Sequence, residues 1–122
     1  FNRPWRTTTG LAERLCPKGW HGKHPATKVF QAIRIVVNEE LVQIEQTLPL
    51  IPKLLNPGGR IALITFHSLE DRLVKQYFRA VSSLGEESEL KILTKTPIVA
   101  GVNELAINPR ARSAKLRAAR RI

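Results

Sequence analysis

The sequence predicts an α/β fold, and three features of its middle carry that prediction. Phe30, Ile33, Val37, Leu41, Ile44 and Leu48 recur at spacings of 3, 4, 4, 3 and 4, the repeat of one apolar helix face. "RIALITF" at 60–66 is a near-continuous apolar run with β-branched residues, the pattern of a strand buried on both faces in the middle of a sheet. Leu69, Leu73, Tyr77, Ala80 and Leu84 then mark a helix from Ser68 to about Ser83. Helix, strand and helix in close succession define an α/β sheet.

The remaining elements follow in order. "RTTTGLAERL" predicts a short helix capped by Thr7 or Thr8, since a hydroxyl oxygen there can accept an otherwise unpaired first-turn amide. "CPKGWHGKHP" is a turn-rich linker, and Pro25 stands where a first-turn proline belongs. The long helix through Leu48 must break at Pro49 and Pro52, each of which removes an amide donor, leaving a short segment through Leu54 and Leu55. "NPGG" at 56–59 is a turn. "LKILTKTPIV" predicts one strand with Pro97 near its end, and "VNELAIN" one or two helical turns. In "RSAKLRAAR", Ala114, Leu116 and Ala118 alternate with Lys115 and Arg117, as in a half-buried strand.

A length of 122 residues, 43% of them hydrophobic, suffices for one modest core, as a single domain or as part of a larger one. The chain begins at Phe1 and has no methionine, so a fragment or processed chain is expected. The single Cys16 rules out an internal disulfide framework and fits a reducing compartment. No apolar run approaches the ~20 residues of a membrane-spanning helix.

The net charge of +10 is unevenly placed. Residues 1–28 carry six Lys/Arg against one acid, 29–105 carry eight against nine, and 106–122 carry six against none. Two basic ends around a neutral centre suit a polyanion lying across the surface; a solvated tail is the plainer alternative.

The corner "FHSLEDR" at 66–72 concentrates polar groups just past a strand's carboxyl end, where open α/β sheets bind ligands. A phosphate cradle needs glycines between strand and helix, but Gly58 and Gly59 precede the strand. A serine-hydrolase elbow needs small neighbours, and Ser68 lies between His67 and Leu69. Ser68 with Asp71 matches an S-x-x-D helix cap, while Glu70 and Asp71 complement the positive helix terminus. His67 stays open as a ligand contact or a buried hydrogen-bonding histidine. Cys16, His21 and His24 lack a fourth ligand and match no common zinc spacing, so no metal site is expected.

"HPATKVFQAIRIVVNEEL", "NPGGRIALITFHSLEDRLVKQYF", "LTKTP" and "NPRARSAKLRAAR" together resemble the C-terminal part of the RsmH (MraW) family, which methylates the N4 amino group of a cytosine in 16S ribosomal RNA. The blocks stand in the family's order and spacing from about residue 3 onward. The resemblance implies the C-terminal part of a Rossmann-like (class I) methyltransferase sheet, preceded by the tail of an inserted helical domain. Residues 1–24 would be that tail and linker, and 25–122 the returning catalytic domain with its last, antiparallel strand.

It also implies S-adenosylmethionine as methyl donor, 16S rRNA or the small ribosomal subunit as partner, and a cytoplasmic location. The family's Gly-rich cofactor loop and acidic cofactor contacts have no counterpart in these residues, so no cofactor-binding residue is expected in this chain, nor activity from the chain alone. The candidate pocket rim is His67, Glu70 and Asp71. His67 would contact the base or backbone, and Glu70 or Asp71 would orient its neighbours. Arg72 with Lys23, His24, Lys28, Arg110, Arg112, Lys115 and Arg117 would face RNA. A sheet edge left open by missing strands is expected to invite self-association. The alternative is a non-enzymatic basic RNA-binding module associated with the ribosome.

Overall fold

A computed structural model describes residues 6–16, 21 and 24–122. The chain forms two compact units, Phe1–Glu40 and Leu41–Ile122. Most of the linker predicted at 16–25 lies outside the described residues.

In the first unit, α1 spans Thr8–Leu15 and Thr7 is its cap: the backbone there is extended, and Oγ1 accepts the Gly10 amide at 3.1 Å. Helix α2 covers Ala26–Asn38. The single helix expected to run on to Leu48 is instead interrupted at Glu39, whose φ of 52° is left-handed, and α3 begins afresh over Glu40–Thr47. A non-glycine residue in that conformation costs roughly 1–2 kcal/mol. Polar contacts hold the break. The Glu39 amide donates to the Ile35 carbonyl, Arg34 Nε pairs with Glu40 Oε1 at 2.9 Å, and Asn38 Nδ2 donates to the same carboxylate. Apolar spacing cannot register such a break, because the stripe keeps its phase on both sides of one reversed residue.

The prolines act as expected. After α3 the chain tightens into a 3-10 turn at Leu48–Leu50 and the short helix α4 at Ile51–Leu54. The "NPGG" turn follows, with Gly58 at φ +80° and Gly59 so close to the Asn56 carbonyl that a Cβ would meet it at 2.8 Å. The strands are β1 (Arg60–Thr65), β2 (Leu90–Ile92), β3 (Ile98–Val99) and β4 (Lys115–Arg121), with α5 (Ser68–Ser82) and α6 (Val102–Ile107) between them.

All strand pairings among the described residues are antiparallel, and β4 takes part in every one. The order is β1-β4-β2, with β3 also on β4. The single strand expected over 90–99 is split. Ile92 pairs with Ala119 and Ile98 with Leu116, so the segment between them is longer than its counterpart in β4 and loops out. Thr94 pins this excursion, its Oγ1 accepting the Ala118 amide at 2.9 Å.

One face of the sheet builds the core. Ile61 and Leu63 of β1, Ala119 of β4, and Leu90 and Ile92 of β2 pack with Val74 and Phe78 of α5 and with Leu48 and Ile51. The other face carries the row Ile64, Leu116 and Ile98, set by register across three strands, with Ile64 58% and Ile98 59% exposed. Strand β1 was expected to be central and buried on both faces. Here it is an edge strand whose exposure alternates, because among the described residues it has a neighbour on one side and a helix on one face only.

Candidate functional site

The corner after β1 is built by a cap, and the capping residue is His67 rather than Ser68. His67 has extended backbone, and Ser68 is already the first helical residue. The His67 Nδ1 accepts the Glu70 amide at 3.3 Å. In return, Glu70 Oε2 accepts the His67 amide at 3.2 Å and the Phe66 amide at 2.8 Å. This reciprocal arrangement satisfies three backbone donors at the strand-to-helix corner. The sequence signal for it was Glu70, three residues after the cap. It was hidden because Ser, Thr, Asp and Asn usually supply the acceptor, and S-x-x-D lay one residue out of phase.

Asp71 does more than complement the helix dipole. Its carboxylate accepts Arg117 Nε at 2.7 Å and Nη2 at 3.3 Å, and Lys115 Nζ lies 3.4 Å away. The Arg117 guanidinium hydrogen-bonded to Asp71, reinforced by its charge and that of Lys115, holds the carboxyl below its usual range despite the opposing effect of burial. The cluster ties the first turn of α5 to the start of β4, next to the end of β1, where the Thr65 hydroxyl donates to the Lys115 carbonyl.

The predicted RNA-facing cations therefore separate. Arg117 was expected on the surface, but its side chain is 8% exposed and turned inward onto Asp71. Alternation in β4 explains this: Arg117 shares the core face with Ala119, two residues on. Lys115 is half-exposed and shared with Asp71. Arg72 is exposed on α5, and Arg110 and Arg112 are exposed on the 3-10 turn Pro109–Ser113. In the first unit Lys28 and His24 are exposed; Lys23 lies outside the described residues. The Cys16 Sγ lies 3.2 Å from His24 Nε2 and 3.4 Å from Nδ1, while His21 is exposed.

The corner does not fit a nucleoside cofactor. Its strand-to-helix turn has no glycine, and the amides of Phe66, His67 and Glu70 are taken by the reciprocal cap. It holds a largely buried imidazole and an ordered helix terminus beside a buried ion pair.

Comparison with known sequences relates the chain that carries this corner to a methylase family. The family model described as the MraW methylase family matches residues 3–122. The chain belongs to that family. It is 56% identical over 122 residues to the "Ribosomal RNA small subunit methyltransferase H" of Nostoc sp., covering 96% of this chain and 38% of that protein. Proteins of the same name in Solidesulfovibrio magneticus and Magnetococcus marinus are 49% and 45% identical, with 95% and 98% of this chain covered. The alignments cover 41% and 44% of those two proteins. The chain thus spans about two-fifths of the length of the curated relatives it matches.

Proposed function

We propose that this chain is the C-terminal portion of an S-adenosylmethionine-dependent methyltransferase acting on the N4 amino group of a cytosine in 16S rRNA. The observation that carries the reading is the family match over residues 3–122, joined to relatives named for methylation of small-subunit rRNA. The reading makes the sheet the latter part of a Rossmann-like sheet, with residues 1 to about 24 the tail of an inserted helical domain. Among the described residues β1 is paired on one edge only and Ile64 and Ile98 stand exposed on the outer face, and both features support the reading, since both need partners. In the chain alone, the same edge favours self-association.

The target amine is a weak nucleophile, because its lone pair is delocalised into the ring. Methylation therefore depends on unstacking the base and holding it in near-attack geometry. This chain supplies part of that pocket: the His67 corner on one rim, with Asp71 and Arg117 fixing the corner to the sheet. Arg72, Arg110, Arg112, Lys115, Lys23, His24 and Lys28 face RNA and engage its phosphates. The residues present do not fit the methyl donor, whose contacts belong to the rest of the longer protein, and the chain alone is inactive. No helix among the described residues is long and apolar enough to cross a membrane, and the substrate places the enzyme in the cytoplasm.

The test is transfer of labelled methyl groups to small ribosomal subunits that lack the modification, using the full-length protein, followed by nucleoside analysis. N4-methylcytidine is expected. Tight subunit binding without methyl transfer would return the chain to a non-enzymatic RNA-binding role.

A further inference from the structure

The cap at His67 fixes which ring nitrogen carries the proton. Glu70 N–H donates to Nδ1, and a nitrogen that accepts is unprotonated, so the neutral ring holds its hydrogen on Nε2. The His67 side chain is 10% exposed, and Nε2 has no hydrogen-bond partner among the described residues. Glu70 Oε1 is 3.2 Å away but out of alignment for a bond, and Oε2 is held by the amides of Phe66 and His67.

A buried donor without an acceptor costs free energy. Capping alone does not require that cost, because the single hydroxyl of Ser or Thr offers the one acceptor a cap uses, with no second polar atom to bury. The imidazole adds a donor that the fold leaves unspent, at the corner that the proposed Rossmann-like reading puts at a ligand-binding strand end.

We infer that His67 Nε2–H is a hydrogen-bond donor to the nucleobase being modified, taking a ring acceptor of a pyrimidine, its carbonyl oxygen or unprotonated ring nitrogen. The inference rests on the proposed rRNA cytosine reading. In that substrate O2 and N3 accept, whereas the N4 amino group donates, so His67 grips the ring and a different group orients the amine. The same tautomer leaves no free ring nitrogen to act as a base toward the amine. The donor is covered in this structure, and the base takes the place of the atoms that cover it.

The experiment uses the full-length protein with cytidine as the probe. His67→Ser keeps an oxygen for the Glu70 amide and has no group that reaches the position of Nε2; His67→Ala lacks both. Ring nitrogen NMR on the wild-type protein is expected to show a proton on Nε2 and to shift that signal on adding cytidine. His67→Ser is expected to keep the melting temperature and to weaken cytidine binding by about tenfold, the loss of one hydrogen bond. Equal binding by wild type and His67→Ser, a neutral ring protonated at Nδ1, or an Nε2 signal indifferent to cytidine overturns the inference alone. A wild-type protein that binds no cytidine overturns the cytosine reading along with it. The NMR measurement needs no variant, so it decides the matter even if the substitutions fail to fold.

Discussion

Replacing Arg117 by methionine strands the Asp71 carboxylate, and the structure sets the size of the penalty. Asp71 is 11% exposed and loses contacts at 2.7 and 3.3 Å. What survives is Lys115 Nζ at 3.4 Å, on a side chain 38% exposed and therefore shared with water. Breaking a buried pair from one side costs about 3–5 kcal/mol. The residual lysine puts Arg117→Met at the low end, about 3 kcal/mol. With a urea slope of roughly 1.5 kcal/mol/M, the unfolding midpoint drops by about 2 M.

Asp71→Leu, which leaves the guanidinium unpaired, is expected to cost a similar amount, and the double variant Asp71→Leu/Arg117→Met to lie near wild type because no buried charge remains. Acid sensitivity follows in the same series. The folded Asp71 titrates below its usual 3.8, so the pair's stabilisation is complete above that value and is lost as pH falls through the lowered one. Arg117→Met should remove this acid-side loss. Urea curves followed by far-UV circular dichroism provide the assay. Single variants within about 0.5 kcal/mol of wild type, or a double variant destabilised by the sum of the two, refute the coupling.

Three further outcomes are expected. Phe78→Ala, at a side chain only 2% exposed in the core, should cost about 3–5 kcal/mol by calorimetry or denaturant. Ile64→Ser should leave the stability of this chain within about 0.5 kcal/mol, yet lower that of the full-length protein by about 2 kcal/mol or more if further elements cover the outer sheet face; equal effects in both would show that the face stays open. Arg110→Gln should weaken RNA binding across sequences and reduce its logarithmic salt slope by about one, an unchanged slope marking Arg110 as a solvated charge.

Much of the architecture was legible because it rests on local chemistry. The α1 cap at Thr7, the proline breaks after Thr47, the turn at Gly58 and the C-terminal strand all follow from residues acting on their immediate backbone. What escaped depends on partners far away in sequence. Nothing near Arg117 announces that its charge belongs to Asp71, 46 positions earlier. The apolar run of β1 signals two faces able to be buried, while the described residues cover one. The loop-out between Ile92 and Ile98 is a register mismatch and exists only once β4 is beside it. The His67 cap lay between the two kinds: its partner is three residues away, but an uncommon capping residue supplies the acceptor.

The place of β4 in the sheet has a consequence for synthesis of the protein. Every other strand precedes β4 in the chain and pairs with it. The first of them waits for a partner 50 to 60 positions further on, as the pairs Thr65 with Lys115 and Arg60 with Arg120 show. Among the described residues no two earlier strands pair with each other to hold the place. While the ribosome is still making residues 60–114, β1 lacks its partner β4, and α5 lacks the cation that balances Asp71. The sheet, the ion pair and the anchored corner then form together when Lys115–Arg121 emerges. Long-range pairing of this kind folds slowly and leaves aggregation-prone intermediates exposed. Ribosome-bound chains stalled before and after β4 clears the exit tunnel should therefore differ sharply in resistance to protease.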